Sequence, residues 1–126
     1  MMNAFIYHQG NGALYRCGED GNTYLGLGYS GHGEGVNNGA DEENPDVGPI
    51  PKGVYDIGPA FTHPAAGPVV MRLTPTEGTD VHGRSGFLMH GDTASRDRTA
   101  SHGCVIMDRP IREVVAAAVP ARLHVI

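Results

Sequence analysis

Glycine and proline interrupt this chain so often that no long uninterrupted element fits between them. Together they make up 28 of 126 residues, 19 Gly and 9 Pro. The apolar stretches between them are short, as in Ala4-Phe5-Ile6-Tyr7, Val69-Val70-Met71-Arg72-Leu73 and Gly86-Phe87-Leu88-Met89-His90. Runs of this length, rich in β-branched and aromatic residues and bounded by turn formers, read as strands. The Gly and Pro content stays just under the roughly 25% at which aperiodic low-complexity chains become disordered. The length fits one domain, since domains typically run about 100–150 residues. A single folded domain over residues 1–126 with its excess glycine in turns is the expectation.

Residues 3–30 alternate apolar runs with Gly10-Asn11-Gly12 and Gly18-Glu19-Asp20-Gly21-Asn22, and predict a β-meander, because Gly and Asn supply the positive φ that tight turns need. Residues 31–49 have no period and many turn formers, so they predict a long loop, a length that is usually functional or mobile. Residues 50–57 predict a turn feeding a strand, with Val54 and Asp56 on one side and Tyr55 and Ile57 on the other. The runs 69–73 and 86–90 predict central strands. Ile111, Val114, Val115 and Ala118 repeat at helical spacing, with Asp108 placed to cap, Pro110 tolerated in the first turn and Pro120 as a stop. A helix over about 109–119 follows. Residues 122–126 alternate as a returning strand, placing His124 on an edge. The fold class is mostly β, a sandwich or small barrel with one or two short helices.

Composition excludes several functions. A net charge of −5 argues against nucleic-acid binding, which needs a basic face. No run approaches the roughly 18 apolar residues of a membrane span, so no membrane insertion is expected. Residues 1–9 lack the pattern of a signal peptide. Two cysteines, Cys17 and Cys104, are too few for a disulfide scaffold or a four-thiolate zinc site. The charge is unevenly spread: residues 81–126 carry Arg84, Arg96, Arg98, Arg109, Arg112 and Arg122 against four acids, which suits a ligand bearing a carboxylate as well as it suits a solvated surface.

Chemistry concentrates between Gly83 and Met107. A thiol attacks acyl groups as the thiolate, so a catalytic cysteine needs a base or a cation nearby. His90 ends an apolar strand, and Cys104 follows Ser101-His102-Gly103. A strand end, a loop of about a dozen residues and a return strand bring such side chains together. Gly103 lets a substrate backbone approach, and the N–H groups of Gly103 and Cys104 are candidates for meeting an oxyanion. The same Cys, flanked by Gly and Val-Ile, is equally a buried core residue, and residue types alone leave the two readings balanced.

Ser101-His102-Gly103-Cys104 resembles the Ser/Thr-His-Gly-Cys signature of L,D-transpeptidases, cysteine enzymes of bacterial peptidoglycan. Three blocks, Gly48 to Ile57, Gly83 to Asp92 and Ala100 to Met107, look like the small L,D-transpeptidase effectors of type VI secretion systems. That resemblance implies an L,D-transpeptidase-like fold, Cys104 as nucleophile, His90 as general base, and Ser101, His102 and Gly103 as supports of the oxyanion pocket and the base. Arg84 and Asp92 match the block around the base and become candidates for substrate binding or bracing. Ile106 stands where many housekeeping relatives carry Arg, so Arg84, Arg96 or Arg98 would have to hold the substrate carboxylate.

The resemblance further implies attack on the meso-diaminopimelate–D-alanine bond of tetrapeptide stems, completed by water or by a D-amino acid acceptor. It implies no metal and no cofactor. It also implies a cognate immunity protein, a component of the secretion apparatus as partner, and export without a signal peptide into the periplasm of a target bacterium. Alternatives are a housekeeping wall cross-linker, a zinc hydrolase using His82, His90, His102 and Cys104, a papain-like order with His124 as base, and a non-catalytic β module that binds a peptide or partner.

Overall fold

The computed structural model describes residues 2–92, 101 and 103–126. Among them, ten strands and one α-helix follow in the order β1 (Asn3–Tyr7), β2 (Ala13–Gly18), β3 (Gly21–Leu27), β4 (Tyr29–Ser30), β5 (Gly53–Ile57), β6 (Phe61–His63), β7 (Gly67–Pro75), β8 (Leu88–His90), β9 (Val105–Ile106), α1 (Arg109–Ala117) and β10 (Ala121–Val125). The fold is mostly β, as the turn-rich sequence predicts.

The predicted meander is β1-β2-β3. Its first turn closes because Asn11 Oδ1 accepts from the Ala13 N–H at 2.9 Å while His8 N–H donates to Ala13 O, a local side-chain turn of the kind Asn favours. The strands continue into one mixed sheet ordered β3-β2-β1-β10-β5-β7-β8-β9-β4, with β6 paired to β7. The order is open, yet its two outer strands, β3 and β4, are consecutive in the chain and joined through Gly28. The sheet must therefore turn back on itself, which gives the small-sandwich shape. A Cβ at Gly28 would collide with Ile106 O and crowd the Met107 thioether, so the corner needs glycine.

Enclosed between the turns of the sheet are Phe5, Tyr7, Leu14, Ile50, Tyr55, Met71, Met89, Val105, Met107, Val115 and Leu123. In β5, Tyr55 and Ile57 are buried and Asp56 is exposed, as the alternation predicts. β7 pairs with β5, β6 and β8 along its nine residues, and β8 lies between β7 and β9, so both predicted central strands are central.

Four expectations need correction. First, residues 31–49 contain two single-turn 3-10 helices, Gly33–Gly35 and Gly39–Asp41. The second is capped by Asn38, whose side chain accepts from Ala40 N–H. Second, α1 ends at Ala117, and although Ile111, Val115 and Ala118 of the predicted face pack on the core, Val114 is 38% exposed while Arg112 is 7% exposed. Arg112 is drawn inward by three backbone carbonyls that accept from its guanidinium. Third, Asp108 occupies the N-cap position, but its side chain makes no cap bond. Fourth, β10 is no edge. It pairs in parallel with β1 and antiparallel with β5, so His124 sits in the middle of the sheet.

Candidate active site

The parallel ladder of β8 and β9 sets Met89 beside Val105 and His90 beside Ile106. One step earlier, Cys104 falls beside Leu88, whose N–H bonds the thiol. Side chains alternate along a strand, so Leu88, His90 and Cys104 share one face, opposite the core-facing Met89 and Val105. Cys104 and His90 are diagonal neighbours on adjacent strands, the relation in which long and aromatic side chains meet. Cys104 Sγ lies 3.8 Å from Gly86 O.

Both groups are held neutral. Burial pushes the Cys104 thiol above the ordinary cysteine value, against the Leu88 N–H and the Arg84 charge, which favour the thiolate. Burial also pushes His90 below the ordinary histidine value. The Gly91 carbonyl opposes that shift, the Arg112 and His63 charges add to it, and Asp92 opposes it. His90 Nδ1 is 2.8 Å from Gly91 O. A carbonyl only accepts, so the neutral ring carries its hydrogen on Nδ1 and presents Nε2 as a lone pair. A neutral base beside a neutral thiol is the arrangement for general-base activation.

The turn that carries Cys104 is braced by Ser101. Its buried Oγ donates to Cys104 O at 2.7 Å and accepts from Gly31 N–H at 3.0 Å and Gly103 N–H at 3.1 Å. The Gly103 N–H is thereby engaged, which corrects the expectation that it faces an oxyanion. Gly103 itself is required, since its φ is 121° and a Cβ would collide with Arg84 Nη2. Ser30 Oγ, 3.4 Å from Gly103 O, also accepts from Ile50 N–H at 2.8 Å.

Arg84 is 8% exposed and bound to three carbonyls: Nη1 donates to Glu42 O and Pro49 O, and Nη2 to Gly48 O. These contacts brace the segment that carries Glu42, Gly48 and Pro49. Asp92 Oδ1 accepts from the Tyr29 hydroxyl at 2.6 Å, so a loop brace is what the structure shows for it. The expected residues His102, Arg96 and Arg98 lie outside the described residues. His82 is far from this chemistry in its contacts, with Nε2 3.3 Å from Glu42 and Nδ1 3.5 Å from Glu43.

Three residues escaped the sequence reading. Tyr29 looked like part of the meander. His63 lines a cleft of about 360 Å³ together with Ala65, Leu88, His90 and Asp92. Its Nδ1 accepts from Ala65 and Ala66 N–H at 3.0 Å each, which leaves Nε2–H as a donor in the neutral ring. Arg112 Nε donates to Met107 O at 3.0 Å, and Nη1 to Pro68 O and Val69 O at 2.8 Å each. Val69 has a φ of 56°, a strained conformation for a β-branched residue, and its carbonyl is one of those that the guanidinium takes. A Cβ at Gly91 would stand 2.8 Å from Arg112 Nη2, so this cation packs directly under the loop that orients His90.

A thiol and an imidazole on one face of adjacent strands define the class so far: a mostly-β protein with a cysteine–histidine candidate site. The family model of the Tlde1 domain matches residues 26–124. The chain belongs to this family of type VI secretion effectors with L,D-transpeptidase-like, peptidoglycan-modifying activity. A search of curated proteins returns no match. No helix among the described residues is long and apolar enough to cross a membrane.

Proposed function

We propose that this protein is a cysteine L,D-transpeptidase and L,D-carboxypeptidase that cleaves the meso-diaminopimelate–D-alanine bond of peptidoglycan tetrapeptide stems. The observation that carries the reading is the His90 tautomer: with Nδ1–H on the Gly91 carbonyl, Nε2 is left as a lone pair on a ring that shares a sheet face with Cys104. His90 Nε2 takes the thiol proton as Sγ bonds the scissile carbonyl carbon. The amide C–N bond then breaks, and the same proton passes from His90 to the leaving D-alanine amine. The product is a thioester on Cys104. Water hydrolyses it to the tripeptide, or the amine of a D-amino acid takes the acyl group in exchange.

The nearby Arg84 charge favours the thiolate, and the depressed basicity of His90 makes its imidazolium a ready acid for the leaving amine. The oxyanion is met by the Cys104 N–H, since the Gly103 N–H is held by Ser101. His90, Cys104 and the peptide suffice for every step, with no metal or organic cofactor. In a competitor's periplasm, trimmed or D-amino-acid-capped stems no longer serve as cross-link donors. That outcome fits an antibacterial effector carried by a type VI apparatus and neutralised in its producer by a cognate immunity protein.

Purified tetrapeptide muropeptides, with and without D-methionine, test this reading. D-alanine release should vanish in Cys104→Ala and fall by roughly a hundredfold or more in His90→Ala. Added D-methionine should divert the product from tripeptide to exchanged tetrapeptide. Release that persists in Cys104→Ala would sink the reading.

A further inference from the structure

The cleft of about 360 Å³ beside His90 is lined by that imidazole and, among the described residues, not by Cys104. His63, Ala65 and Ala66 of the β6–β7 hairpin form one wall, and Leu88, His90 and Asp92 of β8 and its end form the other. Strand order explains the arrangement. Cys104 directly precedes β9, β9 pairs with β8, and β8 pairs with one edge of β7. β6 follows β5 along the opposite edge of β7, with the connecting Gly58 N–H donating to Arg72 O. Thiol, His90 and His63 therefore follow one another across the sheet, and the cleft runs from His90 away from the thiol.

His63 is fixed by one edge only. Its Nδ1 accepts from the Ala65 and Ala66 N–H groups at 3.0 Å each, so the neutral ring carries its hydrogen on Nε2. Its other contact is the Phe61 ring, with centroids 6.1 Å apart, and among the described residues no acceptor is shown for Nε2–H. The hairpin thus spends two main-chain donors on one edge of the ring and leaves a donor on the edge that the cleft can use. The ring is close enough to His90 for its charge to act there. The two arginines nearest the site are engaged, since Arg84 and Arg112 each donate to three carbonyls.

Resting on the acyl-transfer reading above, we infer that this cleft receives the leaving D-alanine and the D-amino acid that replaces it, with His63 Nε2–H donating to their α-carboxylate. The acyl half of the substrate stays on Sγ, whereas the amine half takes its proton from His90 and departs on the far side of that ring. A cleft that begins at His90 and leads away from the thiol is the space for the departing half. A hydrogen bond of about 3 Å at each end and one residue of roughly 3.5 Å between them span roughly 9 Å. Two strand spacings, from β8 to β6, are roughly 10 Å, so one amino acid bridges the two imidazoles. Asp92 acts on His90 with the opposite sign to His63. Its negative charge attracts an amine and repels a carboxylate, which turns the carboxylate toward His63. An acceptor amine enters by the path along which the leaving amine departs, because the two half-reactions mirror each other, and its carboxylate meets the same donor.

The test compares a tetrapeptide ending in D-alanine with the same peptide ending in D-alaninamide, and D-methionine with D-methioninamide as acceptor. Wild type should prefer each acid by about ten- to a hundredfold in kcat/KM, the range of one hydrogen bond to a charged group. In His63→Asn the side-chain oxygen stands in for Nδ1 and keeps the hairpin amides paired, while the far donor is lost. Acid and amide should then be cleaved nearly equally. His63→Gln carries an amide N–H to the Nε2 position and should recover part of the preference. Acid preference that survives His63→Asn overturns the subsite even if D-alanine release depends on Cys104, and so does a preference in His63→Gln no higher than in His63→Asn. A second readout needs no turnover: in Cys104→Ala, D-methionine should shift the His63 ring-nitrogen resonance and D-methioninamide should not. If wild type releases no D-alanine, the function reading fails instead. The titration alone then decides, as it does where His63→Asn does not fold: a shift specific to the acid supports the carboxylate subsite, and no shift, or equal shifts, overturns it.

Discussion

The two buried arginines make the instructive comparison. Each is under one-tenth exposed, each donates to three main-chain carbonyls, and each packs under a glycine whose Cβ would strike it, Arg84 under Gly103 and Arg112 under Gly91. One therefore underlies Cys104 and the other His90, the proposed nucleophile and the proposed base. Their electrostatic effects act on opposite partners of the reaction: the Arg84 charge favours the Cys104 thiolate, and the Arg112 charge disfavours the His90 imidazolium. Thiol activation gains from the first. Proton return to the leaving amine gains from the second, because a less basic imidazole is a stronger acid once protonated. Equivalent scaffolding thus divides into two chemical roles according to which neighbour each cation reaches.

Removing each cation is the strongest way to break that pairing. Arg84→Met and Arg112→Met both strip partners from three carbonyls, and each should cost about 3 kcal/mol in thermal or urea unfolding. Their kinetic signatures should separate. Catalysis needs neutral His90, so activity falls as pH drops through its pKa. Because that value is depressed, the wild-type acid limb lies below about 6.5. Arg112→Met removes a cause of the depression and should move the limb upward. Arg84→Met should leave the acid limb in place and slow iodoacetamide alkylation at fixed pH, since loss of a nearby positive charge raises the thiol further. If both variants shift the same limb, the division of roles is wrong. Where the Met variants do not fold, Arg84→Lys and Arg112→Lys keep the charge and test the bracing alone.

A smaller effect should follow from Ser101→Ala. One buried hydroxyl serves two N–H donors and one carbonyl, and without it the amides of Gly31 and Gly103 lose their acceptor. The expected cost is about 2 kcal/mol, with a drop in kcat larger than any change in KM, because the turn that carries Sγ loosens while the clefts remain. A rise in KM alone would show that Ser101 shapes substrate binding and not the nucleophile's position.

The placement of His90 and Cys104 on adjacent strands was legible because both lie in contiguous apolar blocks. His90 ends a strand and Cys104 directly precedes one, and the ladder between β8 and β9 follows from two short apolar runs in a turn-rich chain. The supports were not legible, for specific reasons. Arg112 falls between apolar helix positions, where an arginine ordinarily faces water, and only the three carbonyls beneath α1 draw it inward. Arg84 sits in a motif block that suggests ligand contact, whereas its partners Glu42, Gly48 and Pro49 come from a segment with no period to read. Tyr29 and Ser30 form a two-residue strand, too short for alternation to reveal, yet their hydroxyls reach Asp92 and Gly103 O respectively.

That short strand supplies the mildest test. On the nucleophile side the link is Gly31 N–H to Ser101. On the base side it is the Tyr29 hydroxyl to Asp92, at 2.6 Å. Tyr29→Phe deletes one oxygen from the base side and leaves the buried ring, so stability should fall by about 1 kcal/mol. Asp92 is among the groups that raise the affinity of His90 for its proton. An Asp92 carboxylate released from the tyrosine is less firmly placed near the ring, and the acid limb should move by a fraction of a pH unit, much less than in Arg112→Met. Iodoacetamide reactivity of Cys104 should not change, because the hydroxyl removed bonds Asp92 on the His90 side. A slower alkylation in Tyr29→Phe would mean that β4 couples the two sides, and that the Arg84 and Arg112 halves of the site cannot be treated as separate.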